Sequence, residues 1–214
     1  MRAGAPIPPL RKAPIPGNSE NVTAANETRG YLGAAFRITI EFLKERGCTA
    51  LVQAKVSAAT KQLMEQPPFP FAWMPATPMD ELESALSAVS GREACVDLGL
   101  IAGRKLGGSV IQPVLKMATA LFGNTPATVF QNLERFYCMV LKGMRFEYES
   151  SGPREGTIRA RADGAGVPAA LFDVTRGNLT YVFELCGVRG TVDPPEQARF
   201  DDSGADARYA VRWT

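Results

Sequence analysis

The chain contains no histidine among its 214 residues. Histidine is the most frequent general base in enzymes, the most frequent nitrogen ligand of metals and the usual proximal ligand of a haem. Without it, a serine or cysteine nucleophile needs a different base. The sequence also lacks a G-x-S-x-G elbow and an S-x-x-K motif. We therefore expect a protein without enzymatic activity and without a bound metal.

An excess of one charge and long apolar runs are also missing. Lysine and arginine total 24 against 22 acidic residues, a net charge of +2, which provides no basic surface for a nucleic-acid backbone. No segment approaches the ~20 apolar residues of a membrane span. Residues 1–12 carry prolines where a signal peptide needs an apolar stretch. These absences predict a cytoplasmic protein with no nucleic-acid partner and no membrane span.

The four cysteines, Cys48, Cys95, Cys138 and Cys186, are each more than 40 residues from the next. This spacing contains no C-x-x-C pair and no zinc knuckle. Each cysteine lies in or at the end of an apolar segment, which favours a small buried side chain in a reducing compartment. A metal site assembled from four distant cysteines is the alternative.

The N-terminal half is predicted to be mainly helical. Residues 1–25 contain five prolines and few core-forming residues, which predicts an extended or disordered arm before a single domain of residues 26–214. Residues 66–76 form a loop rich in proline and aromatic residues. Apolar residues recur at helical spacing in six segments, and Thr77-Pro78 and Thr125-Pro126 have the composition of a helix start. The six helical segments are 32–43, 52–63, 77–89, 98–106, 114–122 and 125–140.

The apolar period changes near residue 144. Met144, Phe146 and Tyr148 alternate with charged residues, which predicts a half-buried strand with Glu147 and Glu149 facing water. A hairpin connection leads to a second strand at 157–162, residues 171–185 are predicted to be helical, and strands at 188–192 and 208–213 are joined by a polar loop. The prediction is an α+β fold, in which an N-terminal helical subdomain packs on a small C-terminal four-stranded antiparallel sheet with an inserted helix.

Several short patterns within residues 30–213 carry a resemblance to known proteins. They are Phe146–Ser150, the turn at 151–156, Pro168, Gly177, Leu185–Gly187, Val211–Trp213 and the earlier Trp73–Pro75. With these patterns the chain resembles a paralogous family of uncharacterised myxobacterial proteins. That family is distantly similar to a superfamily of haem nitric-oxide-binding sensors, vinyl-reductase-type ligand-binding domains and Bet3-like vesicle-tethering subunits. The resemblance implies an apolar pocket between a helical subdomain and a four-stranded sheet.

The haem sensors of that superfamily hold the haem propionates with a Tyr-x-Ser-x-Arg motif. Tyr148 and Ser150 have this spacing, but Gly152 stands at the arginine position and Arg154 comes two residues late. The proximal histidine cannot exist in this chain. We therefore expect no haem and no other cofactor, and interpret Tyr148 and Ser150 as a strand residue and a turn residue.

Clustered aromatic residues form either a packed core or the lining of a ligand pocket. The candidate pocket residues are Trp73, Cys95, Phe136, Tyr137, Cys138, Phe146 and Tyr148. Bet3-like relatives can hold an acyl chain on a cysteine in their tunnel, so the resemblance also gives the hypothesis of an acyl chain on a cysteine here, without indicating which of the four.

Three hypotheses follow for the function of the chain. The first is a non-catalytic cytoplasmic sensor or adaptor domain that binds a small apolar ligand or a partner protein. The second is an assembly subunit that forms homodimers or hetero-oligomers like the Bet3-like proteins, through the proline-rich arm and the aromatics of residues 66–76. The third is an enzyme that acts without histidine, through a cysteine, Tyr148 or a glutamate.

Overall fold

A computed structural model of the chain describes residues 28–109, 112 and 124–214. The predicted arm at 1–25 and the predicted helix at 114–122 lie outside these residues. The described helices are α1 (Gly33–Glu45), α2 (Thr49–Gln53), α3 (Ala58–Glu65), α4 (Thr77–Ser90), α5 (Arg92–Gly107), α6 (Pro126–Gln131), α7 (Leu133–Tyr137) and α8 (Ala169–Cys186). The described strands are β1 (Gly30–Leu32), β2 (Trp73–Pro75), β3 (Leu141–Lys142), β4 (Met144–Gly152), β5 (Glu155–Asp163), β6 (Gly190–Val192), β7 (Glu196–Asp201) and β8 (Gly204–Trp213).

Two of the predicted helices are interrupted in the structure. The segment predicted at 52–63 divides into α2 and α3, because Ser57 caps a new helix by accepting a hydrogen bond from the Thr60 backbone N–H at 3.3 Å. The segment predicted at 125–140 divides at Asn132 into α6 and α7. Thr125 caps α6 as predicted. Thr77 does not cap α4, since the cap position is Ala76.

The main sheet is antiparallel, and the predicted α+β class is confirmed. Its strand order is β4-β5-β8-β6, with β7 paired to β8. The sheet therefore has five strands, and the prediction of four was wrong. The additional strand, β7, lies inside the predicted polar loop, where antiparallel backbone pairing with β8 organises a segment that has no apolar alternation.

A second sheet of three very short strands, ordered β2-β1-β3, was not predicted. Its strands have two or three residues each, too few for an alternating pattern to show. This sheet joins the start of α1 to the loop before α4 and to the chain after α7. It places the Tyr31 side chain among the helices, where it is 6% exposed.

The predicted alternation of β4 is confirmed. Met144 and Phe146 are buried, Tyr148 is half-buried, and Glu147 and Glu149 are exposed to solvent. The two glutamates therefore lie on the water-facing side of the sheet and not in a site. This arrangement agrees with an antiparallel sheet that packs one face on the core.

Helices α5 and α8 cross at backbone contact. A Cβ atom added at Gly99 would lie 1.9 Å from the Val174 carbonyl oxygen, and one added at Gly177 would lie 1.9 Å from the Val96 carbonyl oxygen. Only glycine permits this approach. On the sheet side, the buried Tyr209 hydroxyl donates a hydrogen bond to the Phe172 carbonyl at 2.8 Å. Helix α8 is therefore held between the other helices and the five-stranded sheet.

None of the helices in residues 28–109, 112 and 124–214 combines the length and the apolar composition needed to cross a bilayer.

Candidate functional site: a cavity among the helices

A cavity of about 110 Å³ lies inside the helical layer. The described residues that line it belong to α1, α4, α5, α6, α7, α8 and the small sheet, and none of them belongs to the five-stranded sheet. The sequence predicted a pocket between the helices and the main sheet, whereas this cavity lies within the helical layer. The reason is α8, whose Phe172 and Phe183 rings meet Phe200 and Trp213 of the sheet at 6.0 and 6.4 Å between ring centres.

Most of the described cavity wall is apolar. Gly103 and Gly107 of α5 allow the Tyr181 side chain to lie directly over the helix as part of the wall, because a Cβ atom at Gly107 would lie 2.5 Å from the Tyr181 hydroxyl oxygen. An apolar wall with few polar groups is typical of small-molecule sites. The apolar lining residues are Ala35, Met79, Leu98, Ala102, Leu106, Val129, Leu133, Phe136, Val140, Leu141, Val174, Val182 and Leu185.

Two buried polar side chains mark one end of the cavity. Glu83 of α4 is 1% exposed and Tyr31 of β1 is 6% exposed, and both line the cavity. The Glu83 Oε2 atom and the Tyr31 hydroxyl oxygen have no hydrogen-bond partner among the residues that the structure describes. A buried polar group without a partner costs free energy and calls for an explanation.

Burial determines the charge of Glu83. It raises the pKa of the Glu83 carboxyl well above its ordinary value, the negative charge of Asp80 raises it further, and the positive charge of Arg29 opposes the shift. The shift favours the neutral form of the carboxyl. Burial also raises the pKa of the Tyr31 hydroxyl, with additional contributions from Glu83 and Asp80. The shifts favour the protonated form of both groups, in which each can donate as well as accept a hydrogen bond.

A buried ion pair lies beside this polar end. Arg29 is 7% exposed, and its two terminal nitrogens donate to the two carboxylate oxygens of Asp80, one of them at 3.1 Å. Asp80 lies three residues before Glu83 on α4, so the two side chains are neighbours on the helix. Arg29 thereby offsets part of the negative charge that Asp80 places near Glu83.

Cys95 lies behind Glu83 and not in the cavity lining. Its thiol donates to the Glu83 carbonyl oxygen at 3.6 Å. Burial raises the pKa of Cys95 to about 12, and at the high pH where this thiol titrates the ionised Glu83 carboxyl contributes to the shift. A thiolate is the nucleophilic form of cysteine, so the position of Cys95 disfavours covalent chemistry.

Of the residues predicted to line a pocket, the structure brings Phe136 and Tyr137 to the cavity wall. Burial raises the pKa of the Tyr137 hydroxyl, and the Asn178 side chain opposes this shift. Phe146 packs against the outer side of the Tyr137 ring, with 4.3 Å between ring centres. These aromatic residues form one contiguous group, of which only part faces the cavity.

The other predicted pocket residues lie elsewhere. Trp73 is 41% exposed, with the Lys142 ammonium 4.0 Å from its ring centre. Tyr148 lies on the sheet and is half-buried against Phe130 of α6, with 5.7 Å between the ring centres. Cys138 is exposed, so the expectation that it is buried was wrong. It follows the last residue of α7, where the helix no longer holds its side chain against the core.

Glu83, Tyr31 and Asn178 line the cavity and were missed by the sequence reasoning. The signal for Glu83 was present, because it stands four residues after Met79 and three before Leu86 on the apolar face of α4. A carboxylate at such a position is rarely buried without a function or a partner. Tyr31 gave no such signal, since its burial depends on a three-residue strand.

The fold is similar to that of known H-NOX proteins. The Fe(II) unliganded H-NOX protein from K. algicida matches with a TM-score of 0.62 and 12% identity, over 86% of this chain and 96% of that one. An oxygen-binding H-NOX domain related to soluble guanylate cyclases matches with a TM-score of 0.58 and 9% identity, over 85% and 94% of the two chains. At these identities the likeness establishes the fold alone.

The described cavity residues do not fit a haem. The cavity volume of about 110 Å³ is below the ~300–1,000 Å³ of ordinary ligand pockets. The described lining contains no cysteine, lysine or arginine, which leaves no thiolate ligand and no cation for the propionates. A tyrosine ligand would bind as a phenolate, and burial raises the pKa of Tyr31 and Tyr137, which disfavours that form.

No curated protein matches the chain in sequence. A family model does, the one described as "Protein of unknown function (DUF2378)", and its match extends over residues 34–214. That segment contains α1 except for its first residue, α2 to α8 and all the described strands of the main sheet. The fold is similar to that of H-NOX domains, and the chain belongs to the DUF2378 family.

Proposed function

We propose that this chain is a non-catalytic sensor or adaptor domain that binds a small, mostly apolar molecule, without haem, and transmits binding to a partner protein by contact. The observation that carries the proposal is the apolar cavity among the helices, with buried polar groups at one end. The fold supports it, because the similar H-NOX domains include one whose description is oxygen-binding. Cytoplasmic location and myxobacterial origin remain predictions from the sequence.

The absence of catalysis belongs to the same proposal. In the part of the cavity that the structure describes, burial raises the pKa of the Glu83 carboxyl and so favours its protonated form, and it raises the pKa of the nearby Cys95 thiol to about 12. General-base and nucleophilic chemistry at neutral pH require the opposite protonation states. Binding alone makes use of the groups as they are.

The cavity volume indicates the size of the ligand. An engineered apolar cavity of about 150 Å³ binds benzene or xenon, so a cavity of about 110 Å³ suits a molecule of no more than one small ring. Such a ligand contacts α1, α4, α5, α7 and α8 together. It can therefore shift the packing of these helices against one another, which is how binding at this site would reach a partner surface.

Mass spectrometry of the freshly purified protein tests the proposal. Extra mass under native conditions that disappears on denaturation is expected for a bound small molecule. In Ala102→Leu, a larger side chain occupies the cavity and the extra mass should be lost, whereas Ala59→Leu on the exposed face of α3 should retain it. Bare chain mass for the native protein, together with no binding of small aromatic probes, would contradict the proposal.

A second candidate function is assembly of the chain with a second copy of itself. The loop before α4 exposes Phe69 by 82%, Phe71 by 77% and Trp73 by 41%. Exposed large apolar side chains grouped on one loop are a feature of interaction surfaces. Light scattering at high concentration should give a dimer that the double variant Phe69→Ser/Phe71→Ser converts to a monomer. A monomeric wild-type chain would count against this candidate.

A further inference from the structure

We propose that the ligand carries one uncharged polar group that both donates and accepts a hydrogen bond, and that the Glu83 carboxyl and the Tyr31 hydroxyl recognise this group. The inference rests on the proposed function and goes beyond it by naming the chemical class of the ligand. Alcohols, phenols and carboxamides belong to this class. Hydrocarbons, ammonium ions and carboxylates do not.

The geometry places the two side chains at one end of the cavity from different elements. Glu83 comes from α4 and Tyr31 from the first strand of the small sheet, and both line the cavity. The Glu83 Oε2 atom and the Tyr31 hydroxyl oxygen are buried and have no partner, although the side chains are 1% and 6% exposed. An unmade hydrogen bond at a buried site is unfavourable. A ligand that supplies the missing partner removes this cost and is favoured over one that does not.

The charges around Glu83 favour a neutral ligand. Asp80 faces Glu83 from the same helix, and Arg29 holds Asp80 in a two-pronged ion pair. The remaining surroundings, Tyr31 and the Cys95 thiol, are uncharged at neutral pH because burial raises the pKa of each. An ammonium ligand would have to leave water and ionise Glu83 in an apolar cavity, and the desolvation of two charges opposes this. A carboxylate ligand would also have to leave water as an ion, and the described wall of the cavity offers it no cation.

A protonated carboxyl also fits the function of recognition. It offers one O–H donor and one carbonyl acceptor within a single planar group. A hydroxyl or carboxamide can use both at once, and the Tyr31 hydroxyl adds a further donor or acceptor. The apolar remainder of the ligand would then lie against Leu98, Leu133 and Phe136.

Calorimetry or ligand-observed NMR with three one-ring probes tests the inference: toluene, phenol and benzylamine in its ammonium form. The wild-type chain is expected to bind phenol about tenfold more tightly than toluene, the effect of one good hydrogen bond, and benzylammonium most weakly. Glu83→Leu should remove the preference for phenol while toluene still binds. Glu83→Gln should retain it, because a carboxamide also donates and accepts. Glu65→Leu makes the same change on the exposed face of α3 and should match the wild type.

The outcomes separate the two proposals. Equal affinity for phenol and toluene in the wild type, or a preference that survives in Glu83→Leu, would overturn the role of Glu83 and leave the cavity as a binding site. Tightest binding of benzylammonium would overturn the uncharged class. If none of the probes binds and the native mass is that of the bare chain, the proposed function fails and this inference fails with it. Glu83→Gln and Glu65→Leu show whether a loss in Glu83→Leu reflects recognition and not misfolding.

Discussion

Glu83 gives the stability of this protein an unusual dependence on pH. In the unfolded chain the carboxyl titrates near its ordinary value of 4.5, and in the folded chain burial raises the pKa well above that value. The folded protein therefore holds a proton that the unfolded chain releases. The stabilisation of the folded state by this bound proton is complete below pH 4.5. It is lost as the pH rises through the folded-state pKa of Glu83. Between these two values the free energy of unfolding falls by up to ~1.4 kcal/mol per pH unit.

Few other groups titrate between the unfolded-state and the folded-state pKa of Glu83. The chain has no histidine, and the neighbours Arg29, Tyr31 and Cys95 have pKa values raised above their ordinary, already high, values. Carboxyls with lowered pKa values, such as that of Glu184, which Arg104 binds, titrate below it. A decrease in stability between pH 5.5 and 7.5 therefore reports mainly on Glu83. Over these two units it amounts to at most about 2.7 kcal/mol.

Glu83→Gln is the perturbation that isolates this effect, because glutamine has a similar size and hydrogen-bonding capacity but no ionisation. Urea unfolding at a series of pH values should show a decline in the wild type and a nearly flat profile in Glu83→Gln, with unchanged dependence on urea concentration. Glu65→Gln, on the exposed face of α3, should follow the wild type. The same decline in Glu83→Gln and in the wild type would refute the reasoning, since the proton would then be bound elsewhere.

Three further predictions concern other parts of the fold. Gly99→Ala should destabilise the chain by about 3 kcal/mol or more in urea unfolding, because its Cβ would lie 1.9 Å from the backbone of α8; Gly108→Ala at the end of the same helix should cost far less, and equal losses would contradict the close crossing. Arg29→Met should cost about 3 kcal/mol by the same assay, because it removes the cation and the two hydrogen bonds that the buried Arg29 gives to the partly buried carboxylate of Asp80; a loss of under ~1 kcal/mol would indicate an exposed pair. Brief treatment with iodoacetamide, analysed by mass spectrometry, should modify the exposed Cys138 in the folded protein and Cys95 only after unfolding; early modification of Cys95 would revive the hypothesis of a reactive cysteine.

The helices and the main strands were predictable because their patterns are local. The α1, α4 and α8 segments have apolar residues at helical spacing and end one or two residues before a glycine with positive φ. The alternation in β4 correctly placed Glu147 and Glu149 in water. The strand β7 and the small sheet were not predictable, because their pairing partners are distant in sequence and their residues carry no period.

The residues of the candidate site were also predictable only in part. Phe136 and Tyr137 were expected at a pocket from their aromatic character, and the structure places them on the cavity wall. Trp73 and Tyr148 have the same character but lie outside that wall, because aromatic composition does not specify which face of the core a ring occupies. Glu83 was not predicted because pocket residues were expected to be aromatic or cysteine side chains, and not a carboxylate on the apolar face of α4.

By itself, the sequence determined the α+β order of elements and the absence of histidine chemistry, since both depend only on local patterns and on composition. Only the tertiary structure decided where the cavity lies. Its walls come from elements far apart in the chain, and the contact of Gly99 and Gly177 with the opposite helix sets how closely α5 and α8 approach. The same packing buries Glu83 and Tyr31 together. The helical pattern places Glu83 on a buried face, but only the packing of distant elements brings it together with Tyr31 and leaves their polar atoms unpartnered among the described residues.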